Sequence, residues 1–196
     1  MGYNDRKHRT SANMITFKFH PQKAIQAVCY LLNKTGARQK IEFTKYLYAA
    51  ERQHFLKYGR PITGDTLVSM AYGPLPSNTY DLIKGDYYHV GDAIYNFIKV
   101  ENNTVTAIAN DKSMLTASEI EVLDEIADTW GRQTRNQTLR RSHEFPEYDK
   151  SVKGPPMTSK PIPYEDILKH SGHRIHGIPV VSMETAKHME DPFRDG

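Results

Sequence analysis

Residues 55–85, FLKYGRPITGDTLVSMAYGPLPSNTYDLIKG, set two glycine–proline loops, GRPITGD and YGPLPS, between stretches of helical periodicity. Each proline fixes φ and removes a backbone donor, and each glycine admits positive φ, so neither loop can be absorbed into a helix. A fold of this chain must stop a helix at Gly59, hold two shaped loops, and restart a helix near Ser77. In local terms Gly59 ends its helix in a left-handed conformation and Gly64-Asp65 makes a turn, with Asp65 placed to cap the segment after it. Pro74 and Pro76 force extended backbone, and Ser77 caps the next helix, SNTYDLIKG.

The flanking chain reads as mostly helical. HPQKAIQAVCYLLNKTG starts a helix at Pro21 and stops it at Gly36, with Ala24, Ile25, Val28, Leu31 and Leu32 on one apolar stripe. A second helix is expected from Glu42 to Tyr58, with Leu47, Ala50, His54 and Tyr58 on one face. IYNFIKV and TVTAIA, separated by ENN, read as a β-hairpin over residues 94–109. LTASEIEVLDEIADTWG opens with the capping box Thr116-x-x-Glu119. Its stripe of Ile120, Leu123, Ile126, Ala127 and Trp130 is expected inside, with Glu119, Glu121, Asp124, Glu125 and Asp128 on an acidic outer side. RQTRNQTLRRSHEF comes next as a basic helix. Residues 152–163 carry four prolines and read as an extended connector to the short helix PYEDILKH. The fold class is therefore α+β and mainly α-helical: a compact helical domain with one small β-hairpin and an extended C-terminal tail. Residues 1–19 read as a flexible basic arm and residues 170–196 as the tail.

Composition excludes several classes. One cysteine, Cys29, rules out an internal disulfide framework, and its apolar surroundings make it a core thiol. No run approaches the roughly 18 apolar residues of a membrane span. The net charge is +3, but residues 1–20 already carry that balance, so the rest is neutral and argues against a body that coats nucleic acid. No secretory leader is visible, which points to the cytoplasm. Gly59 to Gly64 forms GxxxxG, yet no Lys-Ser/Thr comes after it, so it is not a phosphate loop. His143-Glu144 lacks the second histidine of a metalloprotease, and no GxSxG elbow occurs. His170, His173 and His176 have helical spacing for a metal, but Gly172 and Gly177 disfavour a helix there and no cysteine or nearby carboxylate completes the set. Arg132, Arg135, Arg140 and Arg141 form the one basic patch, placed either to touch phosphates or to pair with the acidic helix before it. The residues themselves thus describe a helix-rich binding domain with no catalytic site, metal or cofactor.

The motifs taken in order are more specific. The stretch KYLYAAERQHFLKYGRPITGDTLVSMAYGPLPSNTYDLIKG resembles the signature of the Panacea-domain, SocA-like antitoxin family. The resemblance continues through LTASEIEVLDEIADTWG, LRRSHEFPEY and IPYEDIL and covers roughly residues 20–169; Tyr148 stands where relatives often carry tryptophan. It implies a non-enzymatic antitoxin of a bacterial or prophage toxin–antitoxin system, binding a cognate toxin directly and in some relatives delivering it to an ATP-dependent protease. The residues carried over as motif or partner-binding positions are Tyr48, Glu51, Tyr58, Gly59, Pro61, Thr63, Gly64, Asp65, Tyr72, Gly73, Pro74, Pro76, Ser77, His143 and Glu144.

Two rival functions remain on the sequence alone: a nucleic-acid-binding regulator using the arginine cluster, and a metal-dependent hydrolase using the tail histidines. The tail itself holds apolar residues worth burying, including Ile167, Leu168, Ile175 and Val180. Residues 160–181 are therefore expected to be ordered, to contribute to a contact with the toxin or within a homodimer, and to be removable without unfolding the helical core.

Overall fold

The structure, a computed structural model, describes residues 15–86, 91–152 and 158–171. Helix α1 spans Pro21–Thr35, and the Gly36 N–H closes it on the Leu32 carbonyl. Helix α2 spans Lys40–Tyr58, and α4 spans Ala117–Trp130. Helix α3 is Ser77–Lys84, α5 is Arg135–Ser142 and α6 is Tyr164–His170. Helix α4 begins with a complete capping box: the Thr116 hydroxyl accepts the Glu119 N–H, and Glu119 accepts the Thr116 N–H at 2.8 Å. Thr134 and Gln137 repeat the device at the start of α5.

Helix α2 is the centre of the molecule, packed against α4, α5 and the sheets. Every residue from Glu42 to Glu51 is buried. The single apolar face expected there accordingly widens to the whole circumference; Leu47, Ala50 and His54 are buried while Tyr58 is exposed. Aromatic edges lock the core: Phe43 meets Tyr46 at 6.1 Å, and Tyr46 meets Trp130 at 6.2 Å. Of the residues expected inside, Leu47, Leu123, Ile126 and Trp130 are buried, whereas Ile120 is half-buried and Val122 takes the inward position. Glu119, placed on the outer side by the sequence, is fully buried. Its carboxylate answers Lys23 at 3.0 Å and Arg60 at 2.5 Å, which is how a charge is carried inside. Cys29 lies in the core and donates its thiol to the Ala109 carbonyl; burial raises its pKa.

Two three-stranded antiparallel sheets replace the one hairpin expected. In the first, β1 (Arg38–Gln39) pairs with β5 (Thr104–Ala107), which pairs with β4 (Ile98–Glu101). Asn102 and Asn103 both take positive φ, 48° and 65°, the twist that a two-residue hairpin loop needs and that asparagine tolerates. Strand β4 begins at Ile98 because Gly91–Asn96 coils into a 3-10 helix.

The second sheet has the order β3-β2-β6, from β3 (Gly73–Pro76), β2 (Leu67–Met70) and β6 (Ser159–Pro161). The loop YGPLPS is thus an edge strand, where prolines are tolerated because one side of the ladder needs no donors. The proline-rich connector is likewise more than a spacer. Its residues 159–161 pair with β2 in the register Val68↔Pro161, and Ile162 donates to the Leu67 carbonyl at 2.8 Å. Beyond it, Ile162, Tyr164 and Ile167 complete a buried cluster with Tyr48, Phe55 and Leu67, so this segment is part of the core and not a removable appendage. Within the arm expected over residues 1–19, residues 1–14 lie outside the described residues, while Phe17 packs edge-on against Phe55 and Tyr164. Residues 172–181 of the tail also lie outside the described residues.

Candidate functional site

The motif residues converge on α2, whose Lys45, Glu51 and His54 hold backbone outside the helix and whose Tyr48 and Arg52 together hold the buried acid Glu147. Lys45, Tyr48, Arg52 and Phe55 recur at three- and four-residue spacing and so share one face. Lys45 is completely buried and donates to the Pro74 carbonyl at 3.0 Å; burial lowers its pKa to about 7. Tyr48 donates its hydroxyl to Glu147 at 2.8 Å, and Arg52 pairs with the same carboxylate at 2.6 Å. His54 must donate from Nδ1 to the Arg60 carbonyl at 2.6 Å, because a carbonyl only accepts. When neutral it therefore accepts the Ser118 hydroxyl at Nε2, 3.1 Å away. Burial depresses its pKa.

Glu51 shapes the first loop from beneath. Its two oxygens accept the Ile62 N–H at 3.0 Å, the Thr63 N–H at 2.9 Å and the Thr63 hydroxyl at 2.6 Å. Burial pushes its carboxyl up to about 8 against those donors, with the nearby Asp65 charge adding to the rise. Gly59 is left-handed at φ 73°, as its place at the end of α2 requires. Gly64 is also at φ 73°, and a Cβ there would collide with the Lys18 carbonyl oxygen, so the loop presses on residues 17–18 where only glycine fits.

Asp65 does not cap its own local turn. Its carboxylate accepts the Asn78 N–H at 2.8 Å, the Thr79 N–H at 2.8 Å and the Thr79 hydroxyl at 2.6 Å, and so caps α3 from the other loop. Ser77, expected as that cap, is instead the first helical residue; Pro76 stands at the cap position and offers no side-chain bond. Burial raises Asp65 to about 6, opposed by these same donors. Tyr164 of α6 donates to the Asp65 carbonyl at 3.0 Å.

The second loop meets the SHEFPEY segment. Gly73, at φ 99°, lies so close to it that a Cβ would stand 2.7 Å from Ser142 Oγ and 3.0 Å from His143 Cδ2. His143 stacks on Tyr148 with centroids 4.9 Å apart, and Tyr148 donates to the Met70 carbonyl at 2.9 Å. Among the motif residues, Tyr48, Glu51, Pro61, Thr63, Gly64, Asp65, Gly73, Pro74 and Pro76 are buried, Gly59, Ser77 and His143 are half-buried, and Tyr58, Tyr72 and Glu144 are exposed. The sequence reading missed Lys45, Arg52, Glu147 and Tyr164. A lysine and an arginine flanking Tyr48 on a helix bounded by core aromatics were the available signal for the first two.

The other candidates separate. His170 sits at the end of α6 with Nδ1 2.8 Å from the Asp166 carbonyl; His173 and His176 lie outside the described residues. The acidic side of α4 is paired by Lys57 with Glu121 and Glu125 and by Lys34 with Asp124, not by the arginine cluster. Arg141 instead lays its guanidinium 4.3 Å over the Trp130 ring. Among the described residues, no helix is long and apolar enough to cross a membrane. A family model described as "Antitoxin SocA-like, Panacea domain" matches residues 43–148, from the first turn of α2 through Tyr148 and over more than half of the chain. No curated protein and no solved structure matches.

Proposed function

The chain belongs to the SocA-like, Panacea-domain antitoxin family, and from that membership we propose that it binds a cognate toxin protein directly and suppresses it in the cytoplasm. The observation that carries the reading is the family match, which runs from α2 through both loops to the SHEFPEY segment. The geometry supports a scaffold and not a catalyst. Glu51 and Asp65, the motif's buried carboxylates, are saturated by backbone and hydroxyl donors and leave no free oxygen for acid–base work. In this reading the buried motif residues brace the two loops, and the exposed Tyr58, Tyr72 and Glu144 belong to surfaces that partners meet. Rigid loops lose little entropy on docking, which suits them to recognition.

The experiment is co-expression with the gene product encoded beside this chain. Rescue of growth and recovery of a stable complex are expected; two non-interacting, individually harmless proteins would sink the reading. Neutralisation that persists in a host lacking ATP-dependent proteases assigns it to blocking, and neutralisation lost there assigns it to delivery.

A further inference from the structure

Between α2 and α5 lies a cleft of about 400 Å³ whose lining includes Arg52, Lys57, Trp130, Arg141 and Phe145 and no acidic residue. Its rings and cations form a ladder. Arg52 lies 4.9 Å over the Phe145 ring, Phe145 stacks on Trp130 at 5.9 Å and 17°, and Arg141 lies 4.3 Å over Trp130. Two of the three cations are already answered: Arg52 by Glu147 at 2.6 Å, and Lys57 by Glu121 and Glu125 at 2.5 and 2.9 Å. Arg141 is not. Its hydrogen bond runs from Nη1 to the Thr129 carbonyl at 3.0 Å, no carboxylate among the described residues stands within ion-pair distance, and Glu144 acts on it only from further away.

A guanidinium held 4.3 Å over an indole and bonded to the Thr129 carbonyl has already given up much of its rotamer freedom. Arg141 keeps N–H groups beyond the one given to Thr129, and a guanidinium's planar fork of donors matches a carboxylate. We propose that this cleft docks an acidic, apolar-flanked segment of a partner protein, with Arg141 receiving a carboxylate and the half-buried Leu56 receiving a flanking apolar side chain. The proposal rests on the antitoxin reading only in identifying that partner as the toxin. A nucleic acid fits the cleft less well for two reasons. Trp130 is 2% exposed, with Arg141 and Phe145 against it, so it offers no free face to a base. Glu121, Glu125 and Glu144 nearby disfavour the many charges of an extended polyphosphate more than a single carboxylate.

Trp130 is the chain's one tryptophan, so its emission reports directly on the cleft. The full chain is titrated with a capped pentapeptide of one glutamate flanked by two leucines between glycines, with its lysine counterpart, and with an oligouridylate. The acidic peptide is expected to change the emission saturably, and the other two are not. Arg141→Glu is expected to weaken the acidic peptide at least tenfold and Arg141→Lys less, with unchanged far-ultraviolet circular dichroism in both. No response to the acidic peptide up to millimolar concentration, an equal response in Arg141→Glu, or an equal response to the lysine peptide or the oligouridylate overturns the proposal. In parallel the neighbouring gene product is titrated against wild type and Arg141→Glu. Equal binding to both overturns the docking site while leaving the antitoxin reading intact. The expected peptide result with no binding of that gene product to either chain removes the antitoxin reading and leaves the cleft standing.

Discussion

The Asp65 carboxylate lies 2.8 Å from the Thr79 N–H and 2.6 Å from the Thr79 hydroxyl, so the first loop ends inside the cap of the helix that comes after the second. The two loops therefore cannot move independently. Asp65→Ala removes the cap and leaves the buried Thr79 donors unanswered. It is expected to cost about 2–4 kcal/mol, the sum of a lost cap and an unsatisfied buried group, read from urea unfolding. A cost below about 0.5 kcal/mol would show that α3 finds another cap.

Glu51 and Asp65 each contribute a component of stability that falls as pH rises between about 4.5 and 8, while His54 and Lys45, whose pKa values burial lowers, act in the opposite direction. Glu51 has a folded pKa raised by burial to about 8, so its contribution is fully present below the unfolded value and is lost as pH climbs through the folded one. Asp65, raised to about 6, acts in the same direction over the lower part of that window. The difference in thermal midpoint between wild type and Glu51→Gln should therefore shrink as pH rises across the window, because the opposing groups are common to both proteins. Equal slopes in the two proteins would assign the pH dependence to other groups.

Trp130→Ala is expected to destabilise by about 3–5 kcal/mol in denaturant unfolding, as truncation of a buried aromatic does. A change near zero accompanied by lost partner binding would move Trp130 from the core to the partner surface.

Ile167 is fully buried in the cluster that α6 completes. Ile167→Ala should cost about 2–5 kcal/mol, and a chain ending at residue 152 should lose most of its unfolding cooperativity. Wild-type stability in the chain ending at residue 152 would mean that α2 and the first sheet need no cover from the C-terminal segment.

Tyr72 is 63% exposed at the bend between β2 and β3. Tyr72→Ala should leave stability within about 0.5 kcal/mol of wild type while weakening toxin binding in a copurification assay. Full binding would take this bend out of the partner surface.

The helices that begin on a local signal were legible in the sequence. Pro21, the Leu31–Leu32 stripe and the Thr116 capping box locate α1 and α4 by local chemistry alone. Helix α2 was found but its phase was not, because a helix buried all round hides Lys45, Glu51 and His54 where a periodic reading expects apolar residues. The strands were harder still. Pro74, Pro76 and Pro161 signal breakage to any short-range rule, and only the pairing of distant segments on a sheet edge makes them strand residues. The order of the motifs was readable, but their roles were not. Tyr48 reaches Glu147 and Tyr164 reaches Asp65 across about a hundred residues of chain, a relationship no local window contains.

Strand β6 reaches β2 only after some ninety intervening residues have been made, Val68 lying opposite Pro161. At translation rates of about 5–20 residues per second, that interval lasts roughly 5–20 s, during which β2 has one open flank and the Tyr48–Phe55–Leu67 cluster lacks its cover. The nascent chain is therefore exposed to chaperones and proteases throughout that time, and the finished loop geometry arrives only with nearly the last of the described residues. Ribosomes that stall before residue 159 release chains in which β2 and β3 can pair but the third strand of the second sheet is missing.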